Sequence, residues 1–182
     1  MDSDALDEAA FCELMAPLFE AAPRFIGRLA EARPFGSWDA LFEQAVAIAL
    51  GMPEGEQIEL IDAHPSIGAP PGSVSALSFV EQGYDRESAS IQAEAERERV
   101  AAQLERLNRR YEARFGFRYV IFVAGRPRSA IVPLMEAAMS AERGAEKERA
   151  LRDVVAIAHD RAAKTGLMTD HTDEQRTAEE QG

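Results

Sequence analysis

Apolar residues recur at three- and four-residue intervals along most of this 182-residue chain. Only residues 117–123 (FRYVIFV) carry the β-branched and aromatic content of a strand. A solitary strand has no partner for its backbone N–H and C=O groups. The pattern therefore predicts an all-α fold, a single-domain bundle of about seven to nine helices. Residues 117–123 become an extended or partly helical core segment, held by side chains or by a ligand. The length suffices for one sizeable core and does not require a second. We read residues 1–168 as that domain and 169–182 as a polar tail expected to fray.

The punctuation along the chain refines this reading. Leu6, Phe11, Leu14, Met15, Leu18 and Phe19 fall at helical spacing, with Pro17 shortening or bending the element. Pro23 suits a first helical position, with Phe25, Ile26 and Leu29 on one side. Ser37 is an N-cap for a helix over 38–50, where Leu41, Phe42, Ala45, Val46 and Ala49 form a stripe that Gly51 ends; Trp38 belongs to the same core. Pro53 opens a helix with Ile58 and Ile61 inward, and Pro65 ends it. A long polar helix covers roughly 86–113, with Leu104, Leu107 and Tyr111 on its buried side and opposite charges three to four apart in its early half. Two more follow, at about 128–141 and 143–165, the second with Leu151, Val154, Val155 and Ile157 inward. Residues 64–74 (HPSIGAPPGSV) hold three prolines and two glycines, so they form a shaped loop.

Charge and composition exclude several functions. Twenty Lys and Arg against 32 Asp and Glu give a net charge of −12, which disfavours nucleic acid. An anionic substrate would need a local positive site built from arginines, backbone N–H groups or helix N-termini. Apolar runs such as 119–125 are far too short to span a bilayer, and residues 1–8 carry four acids and no basic leader. A cytoplasmic protein without membrane contact is the expectation. Cys12 is the only cysteine, which rules out an internal disulfide and a Cys-rich zinc site; beside Phe11 and Leu14 it reads as a buried small hydrophobe.

One span gathers candidate catalytic groups: Ala63-His64-Pro65-Ser66-Ile67-Gly68, then Ser78-Phe79-Val80-Glu81-Gln82. His64 has two readings. It can cap the preceding helix's C-terminal carbonyls, or act as a general acid–base, with Pro65 pushing it out of helical geometry and fixing its direction. Glu81 and Gln82 can be solvated polar residues of a short helix. A carboxylate near a histidine would instead keep it protonated or set its tautomer. Ser78 can cap this helix, bind ligand, or both. His159 reads as structural or solvent-facing, and His171 lies in the tail. The three histidines have no metal-ligand spacing, so no metal site is expected. No phosphate-cradling loop and no Gly-x-Ser-x-Gly elbow appears. Cofactor-free acid–base chemistry is left.

Taken in order, Arg28-Leu29, Arg33-Pro34-Phe35, the A-H-P-S-I-G segment, Ser78-x-x-Glu81-Gln82, Leu107-Asn108-x-x-Tyr111 and Arg114-Phe115-Gly116-Phe117 resemble the 2-oxo-4-hydroxy-4-carboxy-5-ureidoimidazoline (OHCU) decarboxylases of urate degradation. The resemblance runs over roughly residues 7–165. It implies an all-α domain that dimerises, uses no metal or organic cofactor, and releases CO2 from OHCU, a small anionic substrate, to give (S)-allantoin. It implies a catalytic role for His64, as proton donor, and for Glu81, which with Gln82 would orient the histidine or grip the ureido group. It assigns substrate binding to Pro65, to Ser78, Phe79, Val80, Glu81 and Gln82, and to a second segment, Tyr119, Val120, Ile121, Phe122 and Val123, acting partly through its backbone.

The chain departs from that pattern in places. Arg118-Tyr119 replaces a usual Pro-Phe, and Gly83-Tyr84-Asp85 follows Glu-Gln where the family has Ala-Gly. The arginine that commonly follows the second segment is displaced, leaving Arg126 as its candidate replacement. A related ureido or imidazole acid as substrate, and a non-catalytic helical interaction module, are the alternative readings.

Overall fold

The computed structural model of the chain describes residues 2–86 and 91–168, excepting the side chains of 86 and 91–93. Eight α-helices lie among them: α1 (Glu8–Met15), α2 (Pro23–Glu31), α3 (Trp38–Gly51), α4 (Glu54–Asp62), α5 (Ala76–Glu81), α6 (Ile91–Phe115), α7 (Arg128–Ala138) and α8 (Arg143–Lys164). Short 3-10 turns precede α1 and flank α5. The described residues form no strand. Residues 169–182, which include His171 and the expected tail, lie outside them.

The starts of the helices follow the local chemistry. Asp7, Ser37 and Ser75 each accept a backbone N–H of the first turn, of Ala10, Ala40 and Ser78 respectively. Pro23 sits inside the first turn of α2, where its missing N–H has no partner to lose. Pro53 caps α4 rather than opening it, and Gly51 is the last residue of α3, the chain turning out at Met52. The long polar helix is described from Ile91 to Phe115, and a 3-10 turn over Tyr84–Arg86 lies on the other side of residues 87–90, which are outside the described residues. α7 ends at Ala138, three residues early, and the chain turns before Glu142 caps α8.

α8 runs along α3 and α4, and α6 lies along α7. Most of the expected inward residues are buried: Phe25, Ile26 and Leu29; Leu41, Phe42, Ala45 and Ala49; Leu104, Leu107 and Tyr111; Leu151, Val154, Val155 and Ile157, with Trp38 also buried. Three expectations are corrected. Val46, expected in the α3 stripe, is only partly buried. Ile58 is only partly buried, Leu60 taking the inward place beside Ile61. Cys12 is half-buried at the edge of the core, because Phe11 and Met15 occupy the inner face of α1. The Arg33-Pro34-Phe35 segment anchors the N-terminus: Arg33 donates to the Leu6 carbonyl at 2.7 Å, and the Phe35 and Gly36 N–H groups donate to Asp4.

Residues 117–123 leave α6 at Gly116, which takes the left-handed conformation (φ +77°) that ends a helix. They run extended through the core with Phe117, Tyr119, Val120 and Val123 buried. Side chains hold them where a sheet would otherwise. Arg149 donates to the Val120 carbonyl at 2.9 Å, Asp153 accepts a backbone hydrogen bond from Phe122, and Asp62 accepts the Arg118 N–H at 2.8 Å.

Beneath this segment lies a buried ionic knot. Tyr111 donates to Glu146 at 2.6 Å, and Arg149 bridges Glu146 and Asp153. Burial first, then the bond to Glu146, pushes the Tyr111 phenol far up, so it stays a donor at every working pH. Tyr111→Phe leaves that carboxylate short of one donor. It should lower unfolding stability by about 1–2 kcal/mol, read as a shifted midpoint in urea at unchanged slope.

Candidate active site

The loop at 64–74 is shaped by four contacts. Gly68 adopts φ +78°, and a Cβ there would meet Leu104 Cδ1 at 3.0 Å, so any other residue would be strained and would crowd Leu104. Its N–H donates to Gln82 Oε1 at 2.8 Å, tying the loop to the end of α5. Asn108 donates to the Ile67 carbonyl at 2.9 Å from the α6 side. The Tyr84 hydroxyl donates to the Ala69 carbonyl at 2.5 Å.

Arg118 caps the end of α4, donating to the Asp62 and His64 carbonyls at 2.6 and 3.0 Å. The arginine that replaces a proline here thus fixes the histidine's own backbone.

The loop, α5, the extended segment and the C-terminal half of α8 enclose a cavity of about 310 Å³. Its wall contains His64, Pro65, Ser78, Val80, Glu81, Gln82 and the stretch Val120, Ile121, Phe122 and Val123. Phe79, Tyr119 and Arg126, expected in the same site, do not line it. Phe79 stacks on Tyr84, its ring 5.3 Å away. Tyr119 is buried against Tyr111, with Arg149 over its ring. Arg126 turns back to donate to the Val123 and Phe122 carbonyls, closing its own loop. Arg126, the candidate for the displaced arginine, is therefore turned away from the cavity wall.

His64 makes the helix-end contact read from sequence and leaves its other ring nitrogen open. Its Nδ1 lies 3.4 Å from the Leu60 carbonyl, a helix-end contact. A carbonyl can only accept, so this contact puts the proton on Nδ1 and leaves Nε2 a bare lone pair. Nε2 is buried and has no partner among the described residues. Burial, then the positive charge of Arg161, lowers the His64 pKa from 6.5 to about 4 against the opposing pull of Glu20 and the Leu60 carbonyl. The ring is neutral at pH 7. Of the two effects expected of a nearby carboxylate, keeping His64 protonated or setting its tautomer, Glu81 supplies neither by direct contact, for both its oxygens are engaged elsewhere.

That partner is Arg161, which the sequence reading missed. Its side chain is only 1% exposed. Nε and Nη2 donate to the two oxygens of Glu81 at 2.7 and 2.8 Å. Nη2 also reaches Glu20 at 2.8 Å and Ser78 Oγ at 3.1 Å, and Nη1 reaches the Pro17 and Leu18 carbonyls. Burial opposes its charge, but the bonds and charges of Glu81 and Glu20 outweigh it and raise the pKa.

Glu20 accepts from Ser75 and Ser78 as well. Burial raises its pKa, and the Arg161 charge with these hydrogen bonds brings it below the ordinary value. Glu20 and Ala21 hold left-handed φ of 49° and 57°, a strained turn kept at the site. Ser75 is the cap of α5; Ser78 sits inside the first turn with its hydroxyl on Glu20.

A sequence signal for Arg161 existed. It continues the buried stripe Val154-Ile157-Ala158 of α8, where a lone charge demands partners. Ile67, Asp85, Ile157, Asp160 and Lys164 also line the cavity unforeseen. His159 is exposed on the opposite side of α8, its ring edge against Phe42. No cluster able to hold a metal occurs among the described residues.

A histidine whose folded pKa is depressed stabilises the fold fully above its unfolded pKa, and that contribution disappears as pH falls through the folded one. From pH 6.5 to about 4, His64 should therefore cost the fold about 3 kcal/mol. Denaturant titrations across this window should show a pH slope that His64→Gln lacks; parallel curves would contradict the neutral buried ring.

A sequence profile described as OHCU decarboxylase matches residues 4–163. The chain is 28% identical to the 2-oxo-4-hydroxy-4-carboxy-5-ureidoimidazoline decarboxylase of Haloferax volcanii, over 87% of this chain and 90% of that one. It is 27% identical to the uric acid degradation bifunctional protein PucL of Bacillus subtilis, over 97% of this chain but 34% of that protein. A crystal structure of OHCU decarboxylase in the presence of (S)-allantoin superposes with a TM-score of 0.65 at 20% identity, over 87% of this chain and 99% of that one. No described helix is long and apolar enough to cross a membrane.

Proposed function

Since the chain belongs to the OHCU decarboxylase family, we propose that it converts OHCU to (S)-allantoin and CO2, with His64 as its proton-transfer group. The observation that carries this reading is the buried Nε2 of His64, unpartnered among the described residues, in a wall shared with Glu81, Gln82 and the extended segment. A purely structural histidine would be expected to satisfy both nitrogens.

The reaction breaks the bond between ring carbon 4 and the carboxylate carbon. CO2 departs, and the electron pair enters a C4–C5 double bond as the adjacent ring imine nitrogen takes a proton. The 4-hydroxyl proton passes to His64 Nε2. C5 then receives a proton on one face and the 4-oxygen becomes the carbonyl, so one proton is taken up overall. A neutral His64 enters this sequence as an acceptor and becomes the donor only once loaded. The family resemblance names it a donor; its environment makes it both in turn.

The Val120 carbonyl and Phe122 N–H are held from α8, and we assign the peptide groups between them to the substrate ring. Glu81, oriented by Arg161, would accept from the ureido N–H groups. The reading includes a small anionic substrate, a homodimer and cytoplasmic action, as the family resemblance implies.

The test generates OHCU in place from urate with urate oxidase and hydroxyisourate hydrolase, then follows circular dichroism. Spontaneous decay gives racemic allantoin, whereas the wild-type protein should give a net (S) signal. His64→Gln should lower kcat by a factor of about 100 to 10,000 with its far-UV spectrum intact. Wild-type kcat/KM should fall on the acid side with an apparent pKa of about 4 rather than near 6.5. An undiminished rate in the variant would sink the assignment.

A further inference from the structure

The cavity has an uneven electrostatic lining. Five charged side chains face it: Glu81, Asp85, Asp160, Arg161 and Lys164. Arg161 is the deep cation, but its N–H donors already meet Glu81, Glu20, Ser78 and the Pro17 and Leu18 carbonyls. An anion arriving beside it would meet two carboxylates sharing one guanidinium, a cluster of net negative charge. The deep end therefore does not attract a carboxylate, although it suits the N–H donors of a ureido group.

The mouth differs. Val80, at 52% exposure, marks the opening. Lys164 lies in the last turn of α8, its side chain 67% exposed, and among the described residues its ammonium has one partner, Asp160 at 2.6 Å. An ammonium offers three donors, so it can hold Asp160 and still receive a ligand. Asp160 sits one turn back on the same helix and lines the same cavity. Among the described residues, Lys164 is the one cavity cation with donors to spare.

We propose that Lys164 captures the substrate carboxylate at the mouth of the cavity, in competition with Asp160. This rests on the decarboxylase reading and deepens it. The substrate is oriented with its ureido end inward toward Glu81 and its carboxylate outward, so CO2 is released at the opening. The carboxylate then lies against Val80 and Ile157, an apolar wall that favours dispersal of its charge as the bond breaks. Lys164 so takes up the anion-binding task that Arg126, folded back on its own loop, does not perform.

The experiment compares wild type with Lys164→Met, Lys164→Arg and Asp160→Asn. In the coupled dichroism assay, Lys164→Met should raise KM about two- to fivefold, most of the effect lying in KM rather than kcat. Lys164→Arg should restore most of it. Asp160→Asn, which removes the competitor, should lower KM. Added salt should depress wild-type kcat/KM more than that of Lys164→Met.

A second measurement does not need turnover. Calorimetric titration with N-carbamoylglycine, a stable ureido acid, should show weaker binding to Lys164→Met, while its uncharged amide binds both proteins alike. Unchanged KM and unchanged ureido-acid affinity in Lys164→Met overturn the proposal, as does a loss confined to kcat. A wild type that makes no (S) excess but binds the ureido acid through Lys164 would overturn the decarboxylase reading and leave standing only the capture of a carboxylate by Lys164.

Discussion

The buried guanidinium of Arg161 is the interaction on which the site depends. Taking such a group out of water costs several kcal/mol, and a lone partner seldom compensates. Here two carboxylates, a hydroxyl and two backbone carbonyls share the task. The acceptors come from the turn after α1 and from α5, while the donor comes from α8, so segments remote in sequence are fixed to one another at one atom group. The strained turn at Glu20 and Ala21 is explained by the same demand, because it is what carries the Glu20 carboxylate and the Pro17 and Leu18 carbonyls to the arginine. Ordering Glu81 and ordering the fold are thus one event.

The arginine also sets the chemistry of a residue it does not touch. Burial alone disfavours a charged His64, and the nearby guanidinium adds to that effect. A neutral imidazole with Nδ1 turned to the Leu60 carbonyl presents a lone pair, not a proton. The loop then holds that lone pair in place: Arg118 on the His64 carbonyl, Gln82 on Gly68 and Asn108 on Ile67 come from three different elements. Several marks of the family pattern are therefore parts of the histidine's mounting.

Much of this was legible in the sequence wherever a local rule governs. The cap at Ser37, the apolar stripes and the disruptive 64–74 loop follow from short-range chemistry, and the lone strand-like segment runs through the core without a sheet. Legibility fell where the outcome depended on residues distant in the chain. Glu81 was read as a partner for His64 because the two are close in sequence, but Arg161, eighty residues on, claims it. Arg126 was read as a substrate ligand from its position after the segment, whereas the turn at Ala124 and Gly125 sends it back onto its own carbonyls. Tyr119 and Phe79 point from the right segments to the wrong side, since neighbours in an extended chain or a one-and-a-half-turn helix cannot all face one cavity.

The charge of the whole chain sharpens the last point. At net −12, long-range attraction gives an anionic substrate no help, and the cavity itself carries more carboxylates than cations. Selectivity must then come from arrangement rather than net sign: acceptors deep, where a ureido group brings its donors, and at the rim one ammonium that holds only Asp160 among the described residues. Such an arrangement also suits a decarboxylation better than a uniformly positive pocket would. Strong cationic contacts around the carboxylate would stabilise the ground state and hold back the departure of CO2, since binding that is equal or greater before the transition state does not speed the step. A single, solvent-screened lysine gives orientation while adding little to that barrier, and the proton chemistry is left to a neutral histidine buried in the same cavity wall.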